Sequence, residues 1–515
     1  MSLLKSSFKI GLLTLLSRLV GYIRDVMIAS RLGAGMLSDA FFVSFRLPNI
    51  FRSLFAEGAF NAAFVPMFAK IKDKESAREF AERVFAVLLA VLLVFTLLAQ
   101  IFMPGLVWLL ASGFEGEKFE LSIILTRITF PYLILISLVS LLGGVLNSVD
   151  KFGAVAFTPV LMNFSMIIVV LVLEGYFPNE AYAFSIGVMV SGVVQFAYLY
   201  SECRKAGYKL NLKMPHFTPE IKKLLKNMFP VMIGAGVLQI NVLVNTQIAS
   251  YISDGAVSFL YYADRISQLP LALIGTAIGT AMLPMLSRLF RENEVKKAND
   301  TQNNAFEIAW FFSVPAAFGV LAVAGPMVSV LFERDNFSHT DSIAVTRALW
   351  AYSLGIPAFV LMKIFTPGFY SNDDTKTPVK IAVSCIVANL AISLGLIHFA
   401  GFDHVALAIA TSVSSWLNVI LLVAALHKRK LFSFHAKTTK NAIKILVASI
   451  IMAAVVVAFY SAAEEHLPML IDLVISVGLG GMVFFALAYF TNAFDKEEYI
   501  AILKRKLPGK AKKKR

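Results

Sequence analysis

The sequence predicts an all-α membrane protein of about fourteen spanning helices, built as two parallel-related lobes of six helices plus two extra C-terminal helices. Three observations predict this architecture: the apolar composition, the apolar runs that recur along the chain, and an internal repeat. Of the 515 residues, 58% are hydrophobic and 16% are charged. Soluble proteins have roughly 45–50% apolar and about 25% charged residues. A soluble core could not bury so much apolar surface, so we expect an integral membrane protein.

Each predicted span is an apolar run about as long as the hydrocarbon layer is thick. Reading these runs against the breaks between them places the spans at 8–30, 37–68, 82–109, 121–147, 155–174, 182–202, 224–251, 256–287, 305–325, 343–370, 378–399, 404–426, 441–461 and 469–491.

Basic residues cluster in alternate loops, which is the positive-inside pattern of membrane proteins. In the loops on the other side, which are acidic or neutral, Arg31, Lys118 and Arg334 stand out as exceptions. We therefore expect both termini in the cytoplasm, and we interpret the net charge of +14 as topology rather than nucleic-acid binding. The basic loops are 70–83, 204–226, 288–297 and 428–440, followed by the Lys-rich tail.

The chain repeats itself at an offset of 219 or 220 residues. Arg46 answers Arg265, Arg127 answers Arg347, and Thr158-Pro159 answers Thr377-Pro378. Because the offset covers six spans, an even number, the second copy returns in the same orientation and the repeat is parallel. The predicted domains are an N-lobe at 1–203, a C-lobe at 204–427, two further spans at 428–495 and a basic cytoplasmic tail at 496–515.

Charged residues lie inside the predicted spans, where each arginine facing lipid would cost roughly 2.5–3.5 kcal/mol. One interpretation is structural: the charges reach an interface or pair with one another. Asp39, Arg46 and Glu57 would share one face of an ideal helix, which favours such pairing. Asp264 is another acid available to neighbouring arginines.

The second interpretation is an anionic cargo. Arg18, Arg24, Arg52 and Arg265 carry more positive charge than the nearby acids neutralise. The planar guanidinium group suits phosphate because it offers two hydrogen bonds and stays charged. Residue patterns alone leave both interpretations open.

Prolines interrupt the second and the eighth spans at matching places. Pro48 and Pro66 break the former, and Pro270 and Pro284 break the latter. Interruptions at corresponding positions of two repeats indicate a central binding site between rocking lobes, although static kinks are also common in membrane helices.

Several strings resemble the MurJ/MviN family of lipid II flippases. They begin with Ser17-Arg18-Leu19-Val20-Gly21-Tyr22-Ile23-Arg24-Asp25, Gly33-Ala34-Gly35, Ser38-Asp39-Ala40-Phe41-Phe42-Val43 and Arg46-Leu47-Pro48-Asn49. They continue with Phe55-Ala56-Glu57-Gly58-Ala59-Phe60, Phe64-Val65-Pro66, Tyr261-Tyr262-Ala263-Asp264-Arg265, Pro367-Gly368-Phe369-Tyr370 and Lys376-Thr377-Pro378-Val379.

The resemblance implies the fold of the multidrug/oligosaccharidyl-lipid/polysaccharide exporter superfamily, with two lobes around a central cavity, in a bacterial inner membrane. It implies that Arg18, Arg24, Arg52 and Arg265 bind the pyrophosphate of lipid II and that Asp39 lies in the same cavity. By the same likeness, the last two spans form a hydrophobic groove for the polyprenyl tail.

Two departures from the family pattern matter. Gln268 stands where some relatives carry a glutamate, so a charge-switching role there is in doubt. The positions at which some relatives bind sodium match Asn245, Asn389 and Ser393, which include no carboxylate. Since hard cations usually take at least one charged oxygen, we predict no tight sodium site. We also predict no other metal and no cofactor.

The sequence thus predicts a flippase that moves lipid II by alternating access for peptidoglycan synthesis, and not an enzyme. Peptidoglycan-synthesis or division proteins are candidate partners, and nucleic acid is not. Rival functions are export of another polyprenyl-linked saccharide or small molecule, a lipid-phosphate enzyme, and a division scaffold without transport. For the enzyme the candidate acids are Asp373-Asp374, which we interpret as a loop and helix cap.

Overall fold

A computed structural model describes residues 3–53, 60–463 and 466–493. In these ranges the chain forms eighteen α-helices and no β-strand. The helices are α1 (Leu3–Leu32), α2 (Met36–Phe51), α3 (Asn61–Ala69), α4 (Lys74–Ile101), α5 (Met103–Ala111), α6 (Gly116–Thr129), α7 (Tyr132–Ser148), α8 (Phe152–Leu173), α9 (Glu180–Lys205), α10 (Pro219–Ser250), α11 (Ala256–Pro270), α12 (Thr276–Arg291), α13 (Val295–Phe332), α14 (His339–Tyr370), α15 (Lys376–Ala400), α16 (Val405–Lys428), α17 (Ala436–Ala463) and α18 (Met469–Phe490).

Ten helical segments of the described chain are long and apolar enough to cross a membrane, by length and composition. They correspond to ten of the predicted spans; the other four are 8–30, 37–68, 224–251 and 256–287. The all-α membrane fold is confirmed, while the number fourteen stays a prediction. The span expected at 82–109 is divided, because α4 ends at Ile101 and α5 begins at Met103 with Pro104 in its first turn, where a proline is tolerated.

The helix breaks follow the sequence repeat. α2 ends at Phe51 and α11 ends at Pro270, which are 219 residues apart. A π-helical turn, Leu271–Gly275, follows α11 and leads into α12. Pro48 lies inside α2 and has no amide hydrogen, so the Ser44 carbonyl lacks its usual helical donor and accepts from the Thr129 hydroxyl at 2.8 Å instead. Both copies of the repeat therefore interrupt their second helix at the same point.

The chain divides into two compact units, of which the first comprises 1–262, 331–345 and 390–407. In this unit α8 packs on α1 and α9, and α2 packs on α6. The rings of Phe42 and Tyr261 stack with centroids 3.9 Å apart. Gly33 has a φ of +66° and leaves no room for a Cβ beside the carbonyl oxygen of Asn336. The segment around Asn336 thereby reaches the end of α1, where its amide donates to the Ser30 carbonyl at 3.1 Å.

The second unit comprises 263–330, 346–389 and 408–515. One apolar cluster in it joins α13, α14 and α16 around Phe306, Phe365 and Leu426. Another joins α13, α17 and α18 around Phe311, Met452 and Phe484. Gly480 allows α17 and α18 to approach closely, since a Cβ at this position would lie 2.6 Å from the Val456 side chain.

Candidate functional site

Arg24 is a buried arginine on α1 that donates hydrogen bonds to Asp25 and Asn163. Its Nη2 lies 2.6 Å from Asp25 Oδ1, and its Nη1 donates to Asn163 Oδ1 at 2.9 Å. The Asn163 amide donates in turn to the Ser17 carbonyl on α1 at 3.1 Å. Gly21 makes room for this contact, because a Cβ there would lie 3.0 Å from Asn163 Nδ2. Asp25 thus neutralises Arg24, and Asn163 joins the guanidinium group to α8.

Arg18 lies two turns earlier on the same helix and differs from Arg24. Its side chain is half-buried, and among the described residues it makes neither a hydrogen bond nor an ion pair. A cation inside a membrane span without a partner is costly. The charge of Arg18 is therefore not balanced by any described residue.

Asp39 and Arg46, which would share a face of an ideal helix, do not pair with each other. Arg46 is half-buried and its Nη1 donates a short hydrogen bond to Thr246 Oγ1 on α10. Asp39 makes its contacts elsewhere, and Glu57, the third member of the expected trio, lies outside the described residues. Asp39 does not pair with Arg46 because a shared helix face does not determine which neighbouring helix packs against it.

Asp39 is fully buried, and each of its carboxylate oxygens accepts two hydrogen bonds. Its Oδ2 accepts from Lys118 Nζ at 2.7 Å and from the Gly255 amide at 2.8 Å. Its Oδ1 accepts from the Ser258 amide at 2.8 Å and, more closely, from the Ser258 hydroxyl. The Ser38 hydroxyl lies 2.8 Å from the Ser258 hydroxyl. The carboxylate thus caps the N-terminus of α11, where the helix dipole favours negative charge.

The partners of Asp39 follow the internal repeat. Asp39 and Ser258 are 219 residues apart, so they are equivalent positions of the two copies. The contact therefore joins equivalent positions of the repeat. We call the contact among Ser38, Asp39, Lys118 and Ser258 the α2–α11 latch.

Lys118 is a buried partner of Asp39 that was not among the predicted site residues. It is 7% exposed, and besides Asp39 it contacts Asp254 Oδ1 at 2.7 Å. The sequence did mark Lys118 in one way: it is a basic residue on the side of the membrane where the loops are acidic or neutral. Arg31, another such exception, forms an ion pair with Glu174. These two exceptions to the charge bias are ion-paired residues rather than topological signals.

Arg52 and Arg265 are both half-buried and both have interaction partners in the structure. Arg52 follows the last residue of α2, and Arg265 lies within α11 beside Asp264. The Asp264 carboxylate accepts a short hydrogen bond from the side-chain amide of Gln268, one turn later. A glutamate at 268 would repel Asp264 at this spacing, whereas the amide of this chain binds it.

The three positions that match a sodium site are now placed. Asn389 Nδ2 lies 3.4 Å from the hydroxyls of Thr411 and Ser414. The side-chain oxygens of Asn245, Asn389 and Ser393 are buried without a hydrogen-bond donor in the described structure. Among the described residues no group of three His, Cys, Asp or Glu side chains could hold a metal ion.

Asp373 and Asp374 form a helix cap, as the sequence indicated. Asp374 Oδ1 accepts from the amides of Lys376 and Thr377 at 3.0 Å, and its Oδ2 lies 2.6 Å from Arg429 Nη1. Asp373 has a φ of 57°, which is typical of a turn. The hydrogen bonds from Thr377, and then Arg429, lower the pKa of Asp374 to about 2.

α17 and α18 present large apolar surfaces. Val474 is 63% exposed, Met482 66% and Phe490 79%. In a soluble protein such a surface would aggregate, but hydrocarbon covers it at no cost.

Solved structures define the class of protein. An inward-facing multidrug resistance MATE family transporter of the MOP superfamily matches with a TM-score of 0.69, covering 80% of this chain and 94% of its own, at 16% identity. At that identity the likeness shows the fold alone. A second structure, "Lipid II flippase MurJ, inward closed conformation", matches with a TM-score of 0.79 and 26% identity, covering 94% of this chain and 98% of its own. The chain therefore has the fold of these two structures.

The sequence comparisons then give the family. The family model "Lipid II flippase MurJ" matches residues 28–478. A probable lipid II flippase MurJ of Rhizobium tropici is 38% identical over 99% of this chain and 98% of its own length. That of Rhizobium meliloti (strain 1021) is 41% identical over 88% of this chain and 86% of its own. The chain belongs to the MurJ family.

Proposed function

We propose that the chain is a lipid II flippase of the bacterial inner membrane, with both termini in the cytoplasm. It moves the undecaprenyl-diphosphate-linked precursor of peptidoglycan to the periplasmic leaflet. Family membership supports this cargo over another polyprenyl-linked saccharide. Translocation makes and breaks no covalent bond, so the protein needs binding and a change of access rather than catalysis.

Arg18 carries the argument for an anionic headgroup, since it is a half-buried cation without a partner among the described residues. A diphosphate offers the charge and the hydrogen-bond acceptors that this guanidinium lacks. Arg52 and Arg265 are proposed to add to the positive field of the site. Arg24 would contact the diphosphate only after releasing Asp25 or Asn163.

The α2–α11 latch suggests how access is controlled. Because the Asp39 oxygens are all occupied, we assign Asp39 to positioning α11 rather than to binding lipid. Both N-termini lie at the predicted periplasmic end of their spans. Opening this end requires the carboxylate to leave the α11 amides, and the breaks after Phe51 and Pro270 are proposed hinges.

The lobes at 1–203 and 204–427 would rock about the site, and the apolar surfaces of α17 and α18 would take the polyprenyl tail in their groove. Peptidoglycan-synthesis or division proteins are the proposed protein partners, because they make and consume the cargo.

Arginine substitutions in cells depleted of the native flippase test the proposal. Arg18→Ala should abolish exposure of the lipid II headgroup outside the membrane, and Arg18→Lys should restore part of it because charge returns without the fork. Arg204, an exposed arginine at the end of α9, provides the control Arg204→Ala, which should export normally. Normal export by inserted Arg18→Ala protein would refute the proposed site.

A further inference from the structure

A basic cavity is lined by residues that do not include the arginines of α1. It has a volume of 760 Å³ and is formed by α3, the start of α4 and the N-terminal part of α10. Its walls include apolar side chains such as Pro66, Phe80 and Val231, and Lys70, Lys223 and Lys226 line it as well. We call it the three-lysine cavity.

The three lysines are exposed and make no ion pair or hydrogen bond in the described structure. Glu220 is the one acid lining the cavity among the described residues, so three positive charges face one negative charge. Hydrogen bonds from Thr218 and its own backbone lower the pKa of Glu220, which keeps it ionised. The cavity therefore retains a net charge of about +2 and favours an anion.

Exposed apolar residues in the segment that precedes α10 and in the first turns of α10 place the cavity at the depth of lipid headgroups. Leu212 is 69% exposed, Met214 78%, Phe217 56% and Phe229 64%. These side chains alternate with lysines from Lys209 to Lys226. Exposed apolar residues interleaved with lysines are typical of a segment lying in the membrane interface.

Two prolines give the cavity walls further hydrogen-bonding capacity. Pro66 lies inside α3 and Pro230 inside α10. Because proline has no amide hydrogen, the carbonyls of Ala62 and Lys226, four residues earlier, lose their usual helical donor. Both residues line the cavity. The cavity thus combines cations for a phosphate, carbonyls for hydroxyl groups and an apolar wall for a hydrocarbon chain.

We propose that the three-lysine cavity binds an anionic glycerophospholipid with a hydroxylated headgroup, of the phosphatidylglycerol class. The lysines hold the phosphate, the carbonyls of Ala62 and Lys226 accept from the headgroup hydroxyls, and an acyl chain lies against Phe80 and Val231. This site goes beyond the proposed function, since it uses none of the arginines assigned to lipid II. A bound lipid would join α3 to α10.

The test is a lipid titration of the full-length protein in detergent, followed by native mass spectrometry. The cavity variant is Lys70→Gln/Lys223→Gln/Lys226→Gln. The control Lys72→Gln/Lys209→Gln/Lys222→Gln removes the same charge from three exposed lysines of the same regions that do not line the cavity. Each lysine near a headgroup contributes about fivefold in affinity. The cavity variant should bind phosphatidylglycerol more weakly by at least about tenfold, and the control by about twofold at most.

Two further ligands, phosphatidylcholine and soluble glycerol phosphate, test whether the cavity selects an anionic lipid. Phosphatidylcholine should bind the native protein weakly and equally in both variants, and soluble glycerol phosphate should not compete with phosphatidylglycerol. Equal loss of phosphatidylglycerol in the two variants would overturn the proposal, and full competition by glycerol phosphate would assign the site to a soluble phosphate instead. Arg18→Ala should bind phosphatidylglycerol like the native protein, so this proposal and the flippase proposal can fail separately.

Discussion

Replacing Asp39 tests the α2–α11 latch most severely. Asp39→Ala removes the acceptor of four hydrogen bonds and leaves the buried Lys118 with one carboxylate, that of Asp254, whose side chain is 74% exposed. Removing one partner of a buried ion pair costs about 3–5 kcal/mol, because the remaining charge stays desolvated. We expect a loss of that size in the free energy of unfolding.

Asp254→Ala is the matched control, since it removes the other carboxylate bound to Lys118. An exposed ion pair contributes about 0–1 kcal/mol, so its loss should be small. The assay is reversible denaturant unfolding in one detergent, combined with a double-mutant cycle of Asp39→Asn and Lys118→Met. The coupling free energy should be about 2 kcal/mol. Equal costs for Asp39→Ala and Asp254→Ala, or no coupling, would refute the latch.

Three other predictions follow from separate contacts. Asn163→Ala should lower the free energy of unfolding by about 1.5–3 kcal/mol because Arg24 loses an acceptor, and a cost under about 0.5 kcal/mol would contradict this. Asp374→Asn should lower the free energy of unfolding by about 0.3–1 kcal/mol at pH 7, because the amide keeps an acceptor for the α15 amides but loses the negative charge at the helix N-terminus. The pKa of Asp374 is lowered from 3.8 to about 2, so the advantage is complete above pH 4 and should vanish as the pH falls through 2; a difference that persists at lower pH would be inconsistent with it. Lipid II export should proceed equally in sodium and potassium buffers, and saturable sodium dependence would overturn the predicted absence of a tight sodium site.

The fold was predictable because membrane spans are coded locally, by the length and polarity of continuous segments. The internal repeat could also be predicted from the sequence. The offset of 219 residues between Arg46 and Arg265 is also the offset between the ends of α2 and α11. The division of the third span at Phe102 was missed because apolar composition continues across Pro104.

The contacts of the site were less predictable, because they join distant helices. Asp39 binds the start of α11 and Lys118 rather than Arg46, and Arg24 binds Asn163 of α8. Neither partner can be read from spacing along one helix. The one accessible signal was Lys118, whose charge lies on the unexpected side of the predicted topology.

Lipid II translocation by the purified protein is the most direct test of the proposed function. The full chain is reconstituted into vesicles with lipid II in the inner leaflet, and the headgroups that reach the outer leaflet are measured over time. Native protein and Arg204→Ala should expose lipid II at equal rates, whereas Arg18→Ala should stay at the rate of empty vesicles. Equal rates for native protein and empty vesicles, or a normal rate for Arg18→Ala, would contradict a flippase that binds its cargo through Arg18.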